Sequence, residues 1–218
     1  MKRLTDDELI ELNRQGYNQE SYLFQSSRKT IWPELQEFKR LIEPNNRILD
    51  LGCGHGRLVE LFDDLKVEYH GLDQSDALIR IAKLNHSSFS FCIGDARHLP
   101  YTDNYFDSIW AIALLHHLSP SATLETLKEA YRTLRINGKI IITVWQPYPS
   151  FIKKKYHLDR QSFLKKWGGR SWLYYHYFTP NELKKLVIRS GLKILEEGFL
   201  RKNKRCNYFI IAYRAPIA

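Results

Sequence analysis

The chain has 218 residues, 44% of them hydrophobic, with 33 basic and 24 acidic side chains, which suits one domain with a sizeable core. No apolar run is long enough to span a membrane, and the N-terminus turns acidic at once instead of opening a signal peptide. Cys53, Cys92 and Cys206 are widely spaced without a C-x-x-C pair. This argues against a structural zinc site and favours a reduced cytoplasmic, or also nuclear, protein.

The N-terminal segment, residues 1–43, is predicted to be helical from residue 5 onwards, because Thr5 and Glu8 match a capping box. Beyond it, strands are predicted near 47–50, 68–72, 89–93, 106–113, 138–145, 193–199 and 207–214. Helices are predicted near 56–65, 76–85, 120–135 and 180–190. This alternation predicts an α/β fold with a doubly wound, seven-stranded, mostly parallel sheet, built by residues 1–218 as a single domain.

A glycine-rich loop follows the first predicted strand. That strand ends in Asp50, and glycines stand at 52, 54 and 56; a second apolar run ends in Asp73, 21 residues after Gly52. This spacing predicts a strand, a tight turn, a helix and a second strand, with Asp73 placed to accept hydrogen bonds from ribose hydroxyls. Because glycine lacks a side chain, a ligand can lie directly on this backbone. The loop therefore predicts a nucleoside cofactor.

The order of the loop indicates which cofactor. It lacks the G-x-G-x-x-G spacing of dinucleotide sites and the Lys-Ser or Lys-Thr of phosphate loops. With Asp95 after the third apolar run, it resembles the first motifs of class I S-adenosylmethionine-dependent methyltransferases, which have a Rossmann-like fold. The resemblance implies that Asp73 holds the ribose, Asp95 the adenine amino group and residues 52–56 the methionine portion. The full set of cofactor residues is Asp50, Gly52, Gly54, Gly56, Arg57, Asp73, Gln74, Asp95, Ala96 and Ala113. The alternative is a cluster of turn glycines beside unrelated acids.

Charge is distributed unevenly along the chain. Residues 1–145 hold 17 basic and 20 acidic side chains, whereas residues 146–218 hold 16 and 4. The predicted insertion after the fifth strand, residues 146–178, interleaves lysines and arginines with aromatic rings. Basic side chains attract a phosphate backbone and flat rings stack on unpaired bases, which favours RNA contact. The alternative is a solvated insertion whose aromatic residues belong to the core.

A narrower resemblance involves segments outside the cofactor loop. Its matching segments are Tyr17-Asn18, Phe24, Ser26-Ser27-Arg28, Trp32-Pro33, residues 112–119, Leu134-Arg135, Val144-Trp145, residues 175–178, Glu182-Leu183 and residues 207–212. They resemble the eukaryotic tRNA wobble-uridine carboxyl methyltransferases, and the similarity covers nearly the whole chain. Two positions depart from that family: Leu173 replaces an expected basic residue, and Ile136-Asn137-Gly138-Lys139 replaces a Pro-Gly-Gly turn.

The resemblance implies methylation of the carboxylate of 5-carboxymethyluridine at tRNA position 34. It also implies an antiparallel hairpin of the last two strands. The tRNA anticodon loop is then the substrate. The substrate-contact residues expected from the motifs and the basic insertion are Arg28, Trp32, Lys153, Lys154, Lys155, Arg170, Tyr175 and His176.

The chemistry of this reaction makes few demands on side chains. A carboxylate is ionised at neutral pH, so no general base is required, and the sequence shows no catalytic triad and no metal-ligand arrangement. No catalytic residue is assigned; the candidates are Arg28, His116 and His176. Arg28 could bind a carboxylate bidentately, either that of the cofactor or that of the substrate; the alternative is a surface salt bridge. His116 and His117 are expected to point apart, one packing and one facing the cleft.

The resemblance implies a partner as well, a small zinc-binding activator protein. The third strand, Ser88 to Ile93, is expected at the sheet edge with Phe89, Phe91 and Ile93 on one face and no charge or proline to block pairing. We expect the activator to add a strand there, unless a helix or the N-terminal arm covers the edge. Two other functions stay open: a small-molecule methyltransferase of the quinone or sterol type, and a non-catalytic RNA-binding module on the same fold.

Overall fold

A computed structural model describes residues 4–146, 156–202 and 205–216. The N-terminal segment contains helix α1 (Asp6–Gln19), helix α2 (Ser21–Ser27) and a 3-10 helix (Pro33–Leu41). The predicted capping box is confirmed, because the Glu8 N–H donates to the Thr5 hydroxyl and the Thr5 N–H donates to the Glu8 carboxylate. The last part of the segment winds as a 3-10 helix, in which residues three apart share a face, and thereby buries Leu35 and Phe38.

The main sheet has seven strands: β1 Arg47–Leu51, β2 Glu68–Asp73, β3 Ser90–Ile93, β4 Phe106–Ile112, β5 Leu134–Trp145, β9 Lys193–Lys202 and β10 Arg205–Tyr213. Their order across the sheet is β3-β2-β1-β4-β5-β10-β9. The strands from β3 to β5 pair in parallel, and β10 is antiparallel to both β5 and β9. The predicted seven-stranded sheet and its final hairpin are confirmed.

Apolar clusters cover both faces of this sheet. Helix α3 (Asp76–Asn85) follows β2, and helix α4 (Pro120–Thr133) follows the loop after β4. Helix α5 (Pro180–Arg189) comes shortly before β9. Alternate residues of one strand serve opposite faces, so that Leu49 and Leu51 join one cluster and Ile48 joins the other. The helix predicted near 56–65 is only a 3-10 helix, Arg57–Leu61, whose three-residue turns bury Leu58 and Leu61 together.

A second, antiparallel sheet fills the described part of the predicted insertion. Its strands are β6 (Tyr156–His157), β7 (Ser162–Trp167) and β8 (Ser171–His176), in the order β6-β7-β8. The side chain of Leu173 is buried against α1, where a Cβ added to Gly16 would lie 2.5 Å from it. Leu173 therefore occupies a packing position between α1 and the second sheet. At the other departure, Asn137 has φ of 64°, a left-handed turn conformation that asparagine tolerates.

Strand β3 lies at the sheet edge, as predicted. Its apolar residues do not share one environment, however. The ring of Phe91 is buried, Phe89 packs against Tyr69 just before the strand begins, and Ile93 is 57% exposed. Among the described residues, no helix has the length and apolar character needed to cross a membrane.

Candidate active site

A cleft opens at the carboxyl ends of strands β1 to β4, the usual ligand position in a doubly wound sheet. Helices α1 and α2 close one side of it, and strands β7 and β8 close another. Its lining residues from the loops of the main sheet include Asp50, Gly52, Gly54, His55, Arg57, Asp73, Gln74, Asp95, Ala96, Ala113, His116 and His117. The remaining wall is largely aromatic and includes Tyr17, Phe24, Trp32, Trp145, Trp167 and Tyr175.

The glycine loop has a conformation that side chains rarely adopt. Gly52, Gly54 and Gly56 have φ of 77°, 56° and 82°. An added Cβ would lie 2.8 Å from Leu114 at Gly52 and 3.1 Å from Phe24 at Gly54. Gly52 and Gly54 line the cleft with bare backbone, whereas Gly56 packs beneath the Phe91 ring and does not line it.

Asp73, at the end of β2, holds this loop in place. One carboxylate oxygen accepts a 2.9 Å hydrogen bond from the Gly54 N–H, and the other accepts a 2.8 Å bond from the Ser75 N–H. Burial raises the pKa of Asp73, and these backbone donors partly offset the rise. A carboxylate has about four acceptor sites, and the backbone of Gln74 also bonds to this one, so Asp73 can still accept a hydroxyl group.

Asp50 lies beneath the loop, fully buried, and accepts a 2.6 Å hydrogen bond from the Tyr69 hydroxyl. Burial raises the pKa of Asp50 to about 7, although the hydrogen bond from Tyr69 opposes the rise. A carboxyl group in this state can release its proton when a cation binds beside it.

Asp95 follows β3 and is held by Arg97. The Arg97 guanidinium contacts both carboxylate oxygens at 2.7 to 3.2 Å, and its backbone N–H adds a 2.8 Å bond. Partial burial acts to raise the pKa of Asp95, but the bonds from Arg97 outweigh it and lower the pKa. A ligand amino group at Asp95 therefore meets a carboxylate whose lone pairs are largely engaged.

Arg28, just after α2, brings a positive charge to the aromatic side of the cleft. Its guanidinium lies 5.8 Å from the ring centroid of Phe24. Among the described residues, the Arg28 side chain makes no hydrogen bond and no ion pair. A guanidinium beside an apolar wall without a carboxylate partner is suited to bind an anionic ligand.

His116 and His117 lie together in a short 3-10 turn, and both line the cleft. Their ring centroids are 4.5 Å apart, so the expectation that they point apart is wrong; adjacent residues of a 3-10 turn are separated by about 120° instead of alternating as they do in a strand. His116 stacks at 4.9 Å on Trp145, and burial lowers its pKa well below the ordinary value. Within the described residues, no group of three or more His, Cys, Asp or Glu side chains could hold a metal ion.

Several predicted substrate residues lie elsewhere. Tyr175 lines the cleft, but the adjacent His176 points to the other face of β8, where it contacts Ser162 and Glu182. Arg170 is exposed in the β7–β8 turn and does not line the cleft. Trp32 lines it, with the Arg57 guanidinium 5.6 Å from its ring. Lys153, Lys154 and Lys155 lie outside the described residues.

Other residues line the cleft without having been assigned to it from the sequence. Tyr17, Phe24 and Trp145 belong to the matching segments of the resemblance, which was the available signal for them. His55, between two glycines of the loop, is buried with Nδ1 lacking a hydrogen-bond partner. Trp167 reaches the cleft only through the fold of the second sheet.

The residues present fit S-adenosylmethionine. Gly52 and Gly54 line the cleft beside the expected methionine position, Asp73 retains acceptor capacity for a ribose hydroxyl, and Asp50 offers a carboxyl group near the loop. When bound, this cofactor supplies an electrophilic methyl group. The fold and the site together define a methyltransferase.

Comparison with known proteins leads to the same class of enzyme. The methyltransferase domain family matches residues 49–142. A protein of Encephalitozoon cuniculi named as a methyltransferase is 30% identical over 192 residues, covering 84% of this chain and 87% of that protein. The tRNA (carboxymethyluridine(34)-5-O)-methyltransferase of Arabidopsis thaliana is 31% identical over 67% of this chain, and a human protein named tRNA methyltransferase 9B is 28% identical over 75%. The chain spans 36% and 35% of the length of these last two proteins.

Solved structures share the fold. An S-adenosylmethionine-dependent methyltransferase of Methanosarcina mazei superposes with a TM-score of 0.74 at 22% identity, covering 85% of this chain and 99% of that one. A methyltransferase of Haloferax volcanii, solved in complex with the Trm112 methyltransferase activator, has a TM-score of 0.72 at 16% identity, covering 94% and 98%. The chain belongs to the class I S-adenosylmethionine-dependent methyltransferases.

Proposed function

We propose that this methyltransferase esterifies the carboxylate of 5-carboxymethyluridine at tRNA wobble position 34. The observation that carries the proposal is the position of Arg28. Its guanidinium lines the aromatic part of the cleft and has no carboxylate partner among the described residues. A nucleoside that carries a carboxylate matches both features, because the base can stack on the rings while the anion pairs with Arg28.

The names of the relatives support the same substrate. The Arabidopsis thaliana and Xenopus tropicalis proteins, 31% and 29% identical over about two thirds of this chain, are named tRNA (carboxymethyluridine(34)-5-O)-methyltransferases. A small-molecule methyltransferase would also need the cofactor loop. It would not need the excess of basic side chains in residues 146–218, where 16 face 4 acidic ones.

The chain's residues have a limited task in this reaction. The substrate carboxylate is already ionised near neutral pH, so no side chain has to remove a proton. Arg28 would orient the carboxylate, and the rings of Trp145, Tyr175 and Trp167 would exclude water from it. The nearby imidazoles of His55 and His117 are suited to a neutral role, because burial lowers the pKa of each to about 4.

The second sheet would carry the RNA backbone. On its outer face, Lys166 lies 5.4 Å from the ring centroid of Trp172, which is 41% exposed, and Arg170 is exposed in the neighbouring turn. Paired cations and exposed rings suit phosphates and unstacked bases. The anticodon loop would thus contact this sheet and the N-terminal segment. Contacts of Lys153, Lys154 and Lys155 with the RNA remain a prediction.

We further propose that an activator protein of the Trm112 kind binds at β3. The supporting observations are the edge position of this strand and the exposure of Ile93. An open edge can accept a strand from another protein by backbone hydrogen bonding. The Haloferax volcanii structural neighbour was solved in complex with such an activator. The zinc content of the partner is a further expectation.

Mass spectrometry of tRNA nucleosides tests the substrate directly. The protein, co-expressed with the activator, is incubated with S-adenosylmethionine and tRNA that carries 5-carboxymethyluridine. We expect conversion to the methyl ester, a loss of about tenfold or more in kcat/KM for R28Q, and no change for R189Q, an exposed arginine on α5. Methylation of small carboxylic acids or phenols, with none of tRNA, would instead support the small-molecule alternative.

A further inference from the structure

A buried hydrogen bond joins two side chains that line the cleft. The hydroxyl of Tyr17, on α1, lies 2.7 Å from Nε2 of His117, and Nδ1 of the same imidazole lies 3.1 Å from the backbone carbonyl of Tyr174. The two rings meet edge to face at 5.3 Å. Both residues belong to the wall that surrounds the cofactor loop.

The donor and acceptor in this bond follow from its second partner. A carbonyl only accepts, so the proton of His117 must be on Nδ1. Burial keeps the imidazole neutral, because it lowers the pKa of His117 to about 4. Nε2 is then an acceptor, and Tyr17 must donate its only hydroxyl proton to it. The Tyr17 oxygen can therefore offer only lone pairs to a ligand in the cleft.

Asn13 fixes this arrangement from one turn earlier on α1. Its side-chain amide donates to the carbonyls of His117 at 2.9 Å and of Tyr174 at 3.3 Å, and its oxygen accepts from the Tyr174 N–H at 2.7 Å. With Asn13 fully buried, the helix, the histidine turn and strand β8 are locked together. The hydroxyl of Tyr17 is thus held in one orientation.

Tyr17 also lies between the two halves of the cleft. On one side its ring packs at 5.4 Å against Phe24, whose ring covers Gly54 of the cofactor loop. On the other side it packs at 6.0 Å against Trp167 of the second sheet. Burial raises the pKa of Tyr17, and Asp73 of the cofactor side adds to the rise. The phenol therefore remains protonated.

We propose that Tyr17 recognises the charged sulfonium group of S-adenosylmethionine, with its oxygen kept as an acceptor by His117. A sulfonium carries positive charge, and its methyl hydrogens are polarised donors that suit an oxygen lone pair. The product, S-adenosylhomocysteine, has a neutral sulfur without that methyl group. Tyr17 is then a residue that favours substrate over product, and His117 is the positioning residue that acts through it. The inference depends only on binding of the cofactor and holds for any methyl acceptor.

Calorimetry with both cofactor forms tests the inference without catalysis. In Y17F, the Kd for S-adenosylmethionine should rise about three- to tenfold, whereas the Kd for S-adenosylhomocysteine should change less than about twofold. H117F should shift the ratio of these two Kd values in the same direction, since it leaves the Tyr17 hydroxyl free to rotate. Y131F, a tyrosine on α4 outside the cleft, should leave both affinities unchanged.

Equal losses for both ligands would overturn the inference, because they would show a merely structural role. An unchanged ratio with a raised KM for tRNA would overturn it too and assign Tyr17 to the base. The wild-type protein provides a measurement that needs no variant. Sinefungin has an ammonium group in place of the methylated sulfur and should bind more tightly than S-adenosylhomocysteine, whereas weaker binding of sinefungin would contradict the inference.

Discussion

A carboxylate oxygen of Asp73 accepts a 2.9 Å hydrogen bond from the backbone N–H of Gly54. This bond joins the end of β2 to the glycine loop that follows β1. The second oxygen bonds the Ser75 N–H, at the start of α3. The residue expected to hold the ribose therefore also holds the loop on which the methionine portion would lie.

Replacing Asp73 should consequently weaken cofactor binding strongly. For D73A we expect an affinity about ten- to a hundredfold lower, because a charge-assisted hydrogen bond worth about 1.5–3 kcal/mol is lost. Calorimetry with S-adenosylmethionine measures it, and D63A, at an exposed aspartate, is the matched control. Unchanged affinity in D73A would contradict the ribose assignment.

Asp50 should make stability depend on pH. Its pKa is raised to about 7 in the folded protein by burial, against about 3.9 in an unfolded chain. Between these values the native state holds a proton that the unfolded state has released, so unfolding becomes easier as pH rises. Relative to D50N, the wild-type protein without cofactor should lose stability from about pH 4 to about pH 7, by up to roughly 4 kcal/mol.

Denaturant unfolding of both proteins across this range measures the effect. The comparison with D50N is needed because the histidines act in the opposite direction. His55 and His117 have a lowered pKa of about 4. They therefore bind protons more readily when unfolded, and stability rises with pH between about 4 and 6.5. If the free energy of unfolding changed with pH in parallel for the two proteins, Asp50 would not titrate in this pH range.

Asn13 should be essential to the position of α1. N13A leaves the buried N–H of Tyr174 without its acceptor and the His117 carbonyl without a donor. Each unsatisfied buried group costs about 1–3 kcal/mol. We expect a loss of at least about 2 kcal/mol in the free energy of unfolding, whereas N85A, at the exposed end of α3, should lose less than about 0.5. Similar stability of the two variants would contradict this role.

The sequence was sufficient for the main sheet and the cofactor loop, because both depend on local patterns. Apolar runs bounded by turn residues locate β1 to β5, and the acid after β2 has a fixed spacing from the glycines. The second sheet gave no such signal. In β8 every residue except Trp172 is buried, so the alternation that marks a strand with one exposed face is absent.

A related cause explains why His176 was expected at the cleft although it does not line it. Tyr175 and His176 are neighbours on one strand and must face opposite sides, but the sequence does not tell which one faces the cleft. Tyr17 belonged to the resemblance, yet the role proposed for it depends on a hydrogen bond to a residue 100 positions away. Such pairings are set by tertiary packing and have no local pattern.

Binding of tRNA should depend steeply on salt. Each phosphate contact adds about 0.7 to 0.9 to the slope of log affinity against log salt. Removing Lys166 and Arg170 in K166Q/R170Q should lower the slope by up to roughly 1.8, and neutralising Lys153, Lys154 and Lys155 together should lower it further. K185Q, at an exposed lysine on α5, is the control. Affinity that is insensitive to salt would contradict RNA binding through the second sheet.

The activator proposal can be tested at a single backbone group. The Gly94 N–H donates to the Asp73 carbonyl of β2, and alternate residues of a parallel strand point their N–H groups the same way. The N–H of Ile93 therefore points away from β2, towards the open edge, and its side chain is 57% exposed. I93P should leave the pairing with β2 intact but remove a donor that an added strand needs, whereas I93A keeps that donor.

In co-purification with a Trm112-type activator, we expect I93P to lose the partner and I93A to retain it. Full retention by I93P, or complete methylation of tRNA by the isolated monomer, would contradict strand addition at β3.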